Sequence, residues 1–176
     1  MTGRFFSVTE ARRIARSRLP RMMFDFVDGA AGHETLRDIN SRAIDEIRLM
    51  PRVLADISKR DLSHRILGMQ TGHPFGIAPM GMCNLTWPGA DIMLAHAAAA
   101  RQIPVCVSTA SSTTLEAMQE AADGNAWFQL YADQSPAFTD ELVDRADTAG
   151  YEVLILTVDV PVLSQRTRDL RNGFQY

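Results

Sequence analysis

The chain has 176 residues, 46% of them hydrophobic and 22% charged, with a formal net charge of -3. That balance belongs to a folded globular protein of ordinary domain size and excludes a disordered or low-complexity chain. The slight negative charge excludes a whole-chain pull toward nucleic acid or anionic lipid. The two cysteines, Cys83 and Cys106, make neither a disulfide framework nor a metal-site spacing.

The N-terminal stretch MTGRFFSVTEARRIARSRL lacks the apolar core of a signal peptide. No apolar run is long enough to span a bilayer. The expectation is a reducing, cytoplasmic compartment, with peripheral membrane association left open. Ser7-Val8-Thr9-Glu10 reads as a capping box ahead of a helix that carries Ala11, Ile14, Ala15 and Leu19 on one side, broken by Pro20. Arg12, Arg13, Arg16, Arg18 and Arg21 crowd this segment. They read as a solvated helix face, the alternative being a contact with a membrane or a partner. A second short helix, RMMFDFVDGA, is expected to end at Gly29 or Gly32, and a third to run from about Thr35 to Ile47, stopped by Pro51. Residues 53–68 read as irregular, with a short strand near 65–67.

From Phe75 the pattern changes to alternating strands and helices. PFGIAPMG, IPVCVSTAS, AWFQLYAD and VLILTVDVP are apolar runs that do not alternate strictly. Strands buried on both faces read that way, which predicts a parallel sheet. Helices are expected over residues 90–101, over TTLEAMQEAA, and over residues 137–149, the last closed by Gly150. Four βα-type strands fit either an open doubly wound sheet or half of a (β/α)8 barrel, which needs roughly 250 residues when complete.

Each strand exit carries polar or small residues: Pro79, Met80 and Gly81; Ser108 and Thr109; Gln129 and Tyr131; Thr157 and Asp159. In parallel α/β proteins ligands bind at those ends, so the set suits a flat ligand with many hydrogen-bonding atoms. Any single serine or threonine there also serves as a helix cap. There is no Gly-x-Gly-x-x-Gly after a strand, no phosphate-binding Walker loop and no Gly-x-Ser-x-Gly elbow. His33, His64, His73 and His96 show no ligand spacing, and no metal site is expected.

The ordered stretches FGIAPMG, VSTASS, WFQLYAD and LTVDVPVLSQRTRDLRN, after the helical lead, resemble the FMN-dependent 2-hydroxy-acid dehydrogenase and oxidase family. Its members include glycolate oxidase, lactate oxidase and mandelate dehydrogenase. The resemblance spans residues 7–172, and NLTWPGAD with STAS is most similar to the mandelate dehydrogenase branch. It implies a (β/α)8 barrel with FMN at its C-terminal mouth. Residues 1–176 would be the N-terminal part of one FMN-binding barrel domain, with a helical lead over 1–70 and the first four strands from about 75 onward. It implies FMN contacts from Pro79, Met80, Gly81, Ser108, Gln129 and Thr157. Tyr131 would meet the substrate hydroxyl, Arg166 the substrate carboxylate, and Asp159 would orient a histidine base. The chemistry is consistent: a 2-hydroxy acid is an anion that a guanidinium fork recognises, and a histidine base needs an anion to fix its tautomer.

Two positions bear on the substrate. Phe26 stands where the family pattern has a tyrosine whose hydroxyl meets the carboxylate. The lost bond is worth about 1.5–3 kcal/mol. Gly81 and Ala110 are small where some relatives are bulkier, which suggests room for an aromatic or long aliphatic acid. The family's histidine base, second arginine, flavin-side lysine and phosphate loops follow later strands that this chain does not contain. The resemblance therefore implies a companion polypeptide carrying the C-terminal half of the barrel, and a homo-oligomer, commonly a tetramer, of complete barrels. The alternatives are a non-catalytic half-barrel that binds a partner or flavin, and an FMN barrel with another substrate.

Overall fold

The computed structural model describes residues 5–159, 162 and 164–174. Residues 1–4, part of the stretch read above for a leader, lie outside them. The chain divides into two compact units, residues 1–55 with 160–176, and residues 56–159. No helix among the described residues is long and apolar enough to cross a membrane.

The first unit holds α1 (Val8–Arg18), α2 (Arg21–Asp28), α3 (Thr35–Asp45) and α7 (Thr167–Asn172). Ser7 caps α1 by accepting from the Glu10 N–H at 3.1 Å, as the sequence suggests. The return arm of the box differs: Glu10 Oε2 accepts from the N–H of Phe6 at 3.0 Å, one residue earlier than expected. α2 stops at Gly29, whose N–H returns to the Asp25 carbonyl at 2.8 Å. α3 ends two residues short of Ile47. The charge run around Arg168 forms the short helix α7. Ion pairs join it to α2 and to the start of α3. Arg168 donates to Asp28 at 2.8 Å and to Glu34 at 2.6 Å, and Asn172 donates to Asp25 at 2.8 Å. Arg12 of α1 also grips Asp28, at 2.8 Å through Nη2.

The second unit opens with an antiparallel ribbon, β1 (His64–Ile66) and β2 (Met69–Thr71), where the sequence reading found one strand. A βα array follows. A 3₁₀ turn (Cys83–Leu85) leads to α4 (Ala90–Ala99), β3 (Val105–Ser108), α5 (Leu115–Ala121), β4 (Ala126–Tyr131), α6 (Pro136–Thr148) and β5 (Leu154–Thr157). The sheet is parallel in the order β3-β4-β5. The run FGIAPMG adds only an isolated parallel bridge, Ile77 to Val105. Pro74 and Pro79 flank it and cannot donate to a ladder, so the first strand is reduced to the bridge at Ile77.

Burial explains the array. Ala95 and Ala98 are fully buried, so α4 lies close upon the sheet, and Phe128, Leu130, Val105, Val107 and Tyr151 complete that core. Residues 126–130 of β4 are all buried, as a doubly covered central strand requires. Gln119 clips the array together: its amide donates to the Gly150 carbonyl at 2.6 Å and its oxygen accepts from the Ala126 N–H at 3.0 Å. Gly150 follows α6 at φ +83°, a left-handed conformation that a side chain would strain. Leu154, Leu156 and Val158 on and just after the edge strand β5 are 49%, 56% and 84% exposed.

Candidate functional site

The parallel register lines the strand exits up at one end of the second unit. Ser108 pairs with Gln129, and Tyr131 pairs with Thr157. The Pro79-Met80-Gly81 turn is drawn to the β3 exit by the Met82 N–H, which donates to the Ala110 carbonyl at 2.9 Å. A Cβ added at Gly81 would lie 2.9 Å from the Ala110 Cβ, nearer than real side chains approach. A side chain at 81 would therefore have to displace the Ala110 methyl. This corrects the sequence argument about room: the space that Gly81 leaves is filled by Ala110.

Three of the expected residues are already hydrogen-bonded. Gln129 is 2% exposed, and its Nε2 donates to Thr157 Oγ1 at 2.7 Å. That bond fixes the amide and leaves the Thr157 hydroxyl hydrogen for a different acceptor. Ser108 is buried, and its Oγ accepts from the Ala110 N–H at 3.1 Å. Thr109, read as a strand-exit hydroxyl, is a clamp instead. Its hydroxyl donates to the Gln129 carbonyl at 2.7 Å and accepts from the Tyr131 N–H at 3.0 Å. Met80 and Tyr131 are each 47% exposed, and Pro79 and Asp159 are exposed as well.

One residue of this end was not singled out from the sequence. Asp91, in the first turn of α4, is 3% exposed. Its Oδ2 accepts from the hydroxyls of Ser111, at 3.2 Å, and Thr113, at 3.0 Å. It thereby holds the β3–α5 loop, in which Ala110 sits against Gly81. Burial, then the charge of Asp91, pushes the Cys83 thiol up to about 11, so that thiol stays protonated and is no nucleophile. Only the acid in a helix first turn hinted at Asp91. We expect Asp91→Ala to cost about 2 kcal/mol through two orphaned hydroxyls. Hydrogen exchange should rise first at residues 110–114. Unchanged protection there would remove Asp91 from this role.

Phe26 and Arg166 belong to the first unit, where they meet. The Arg166 guanidinium carbon lies 5.3 Å from the Phe26 ring centroid, a cation–π contact. Phe26 also packs on Phe174, with ring centroids 5.1 Å apart. Arg166 Nε donates to Asp169 at 2.5 Å, and Nη2 donates to the carbonyls of Phe26 and Gly29. Nη1 remains without a partner among the described residues. The fork expected from the sequence is thus largely committed within the chain. Asp169 is 3% exposed and its Oδ1 has no hydrogen-bond partner among the described residues. The Arg-x-x-Asp spacing inside a helical turn was the signal that could have paired them.

Among the described residues no group of histidine, cysteine and acidic side chains could hold a metal ion. Both cysteines are free.

Comparison with known proteins gives this arrangement a lineage. Residues 15–176 match the family described as FMN-dependent dehydrogenase. The chain is 36% identical to (S)-mandelate dehydrogenase of Pseudomonas putida over 175 residues, which are 99% of this chain and 44% of that protein. It is 37% identical to 2-hydroxyacid oxidase 2 of Bos taurus over 166 residues, 94% of this chain and 47% of that one. A crystal structure of a mandelate oxidase variant with 2-hydroxy-phenylacetamide superposes with a TM-score of 0.92 at 34% identity, covering 98% of this chain and 52% of its own. The chain spans about half the length of the relatives it matches. Its βα array is the N-terminal part of a (β/α)8 barrel. With a family match over nearly its whole length and the strand exits in register, the chain belongs to the FMN-dependent dehydrogenase family.

Proposed function

We propose that residues 1–176 are the front part of a single FMN-binding barrel domain that oxidises an (S)-2-hydroxy acid of the lactate or mandelate type. The observation that carries this reading is the Gln129–Thr157 pair. A buried amide is fixed by a hydroxyl whose own hydrogen has no acceptor among the described residues, at the strand exits of the parallel sheet. That donor and acceptor set suits the edge of a flat heterocycle. Ser108, Gln129 and Thr157 would hold FMN, with the backbone of Pro79, Met80 and Gly81 beside it. Bound FMN would take up the two electrons of the oxidation.

The chain's own residues then have separable tasks. Oxidation of a 2-hydroxy acid removes the Cα hydrogen and the hydroxyl proton and leaves a C=O bond. Tyr131 presents its hydroxyl to the substrate hydroxyl. Arg166 offers Nη1 to the carboxylate while Asp169 and two backbone carbonyls hold the rest of the guanidinium. Phe26 supplies a ring and no donor, which favours an acid with apolar bulk over a small one. Asp159 orients a histidine supplied by the remaining barrel strands, stabilising its charged form. Those strands would come from a companion polypeptide that covers the open edge of β5. Complete barrels would then form a homo-oligomer in the cytoplasm.

A second reading keeps the half-barrel as a binding module without turnover. It is favoured by one observation: none of the four histidines lies at the exit of β3, β4 or β5. An anaerobic visible spectrum of the natively purified chain, with whatever accompanies it, separates the two. We expect a flavin band that bleaches when L-lactate or L-mandelate is added. A flavin band that persists with both acids would transfer the reading to another substrate, and no flavin at all would favour the module.

A further inference from the structure

We propose that the cavity walled by α1, α2 and α7 of the first unit binds a phosphate-bearing anion with adjacent phosphates, of the pyrophosphate class. The cavity has a volume of about 610 Å³, within the usual range for small-molecule sites. Five arginines line it, Arg12, Arg16, Arg21, Arg168 and Arg171, against two carboxylates, Asp25 and Asp28. The lining thus carries three more positive than negative charges.

The pairing within it is uneven. Arg12 and Arg168 share Asp28, and Arg21 reaches Asp25 only at 3.4 Å. Arg16 and Arg171 have no carboxylate partner among the described residues. They come from different helices, α1 and α7, yet line the same cavity. The Arg12 hydrogen bond, with help from Arg168 and against burial, holds the Asp28 carboxyl down to about 2, so Asp28 stays ionised and partnered while Arg16 and Arg171 are left to an incoming anion. The only apolar lining is Leu19 and Phe24, which suits a compact polar anion better than a large ring. Guanidinium groups match phosphate oxygens two at a time, so several of them facing one space select phosphate over a lone carboxylate. The basic cluster of the N-terminal segment therefore has two sides. Arg13 leans on Glu10 at 3.9 Å, and neither it nor Arg18 lines the cavity, while Arg12, Arg16 and Arg21 do.

The test is isothermal titration of the full chain with sodium pyrophosphate, beside the double variant Arg16→Ala/Arg171→Ala and the control Arg13→Ala/Arg18→Ala. Arg16, Arg18 and Arg171 have no ion pair among the described residues and Arg13 has only an exposed one at 3.9 Å, so circular dichroism should show both variants folded. We expect saturable one-site binding to the wild type, weakened at least about tenfold by the first variant and unchanged by the control, since the lost groups donate charge-assisted bonds. No saturable binding, or equal weakening by the control, would overturn the proposal. The second result would mean diffuse charge attraction. Co-sedimentation with phosphatidylcholine vesicles carrying phosphatidylinositol 4,5-bisphosphate, whose headgroup bears adjacent phosphates, identifies the source. Binding that pyrophosphate competes away and that needs Arg16 and Arg171 assigns the site to a lipid headgroup; no sedimentation assigns it to a free anion.

Discussion

Phe128→Ala is expected to destabilise the second unit by about 3–5 kcal/mol, the usual cost of deleting a buried phenyl ring. Phe128 is 1% exposed on the central strand β4, and its ring meets Tyr151 edge-on at 6.1 Å. The lost area and the cavity left behind act at the strand that both neighbours pair with, so the surroundings cannot collapse without breaking the ladder. The adjacent residue in the strand is Gln129. The same variant should therefore shed flavin along with stability, if our functional reading holds. Urea denaturation followed by tryptophan fluorescence gives the first quantity, and flavin retained after gel filtration gives the second. A loss below about 1 kcal/mol would show that Phe128 is not a core residue.

The second large effect is expected in the first unit. Arg168→Ala removes the side chain that donates to both Asp28 and Glu34 and lies 3.7 Å from Asp25. Those three carboxylates are between 12% and 15% exposed, so they are poorly placed to recover water in exchange. Leaving half-buried charges under-partnered costs about 3 kcal/mol. The pH dependence gives an internal check. Asp28 titrates at about 2 in the fold against an ordinary value of 3.8, because Arg12 and then Arg168 favour its charged form. A depressed carboxyl stabilises the fold fully above its unfolded value and loses that contribution as pH falls through the folded one. Wild-type stability of this unit should thus fall between about pH 4 and pH 2. The Arg168→Ala variant should lose less over the same range. Parallel pH profiles would exclude Arg168 as a partner of Asp28.

These two sites illustrate how legible the chain was. The parallel array was readable because its signals are local. Unbroken apolar runs such as AWFQL, hydroxyl caps such as Thr114 and the closing Gly150 each fix their own few residues. The strand exits could be named from sequence for the same reason, and the register then put Ser108 beside Gln129 and Tyr131 beside Thr157. The apolar run FGIAPMG suggests a full strand, but Pro74 and Pro79 lack the N–H groups a ladder needs, and only the Ile77 bridge forms. The ribbon partner β2 and the helix α7 were not seen. Each is too short for periodicity to register, and α7 owes its place to ion pairs with residues more than a hundred positions away.

What the sequence by itself determined is the class of the fold, the order of its elements, the family, and the residues at each strand end. Composition, pattern and motif are properties of neighbours along the chain, and neighbours suffice for those. Only the tertiary structure decided what each polar group is free to do. Thr109 is spent on clamping two strands, Arg166 is largely satisfied by Asp169 and backbone carbonyls, and the room at Gly81 belongs to Ala110. It also showed that half of the basic cluster on the first helix faces a cavity shared with α7. Those outcomes depend on which donor meets which acceptor across long separations in sequence, and a hydrogen bond is made by distance and direction, which no local pattern encodes.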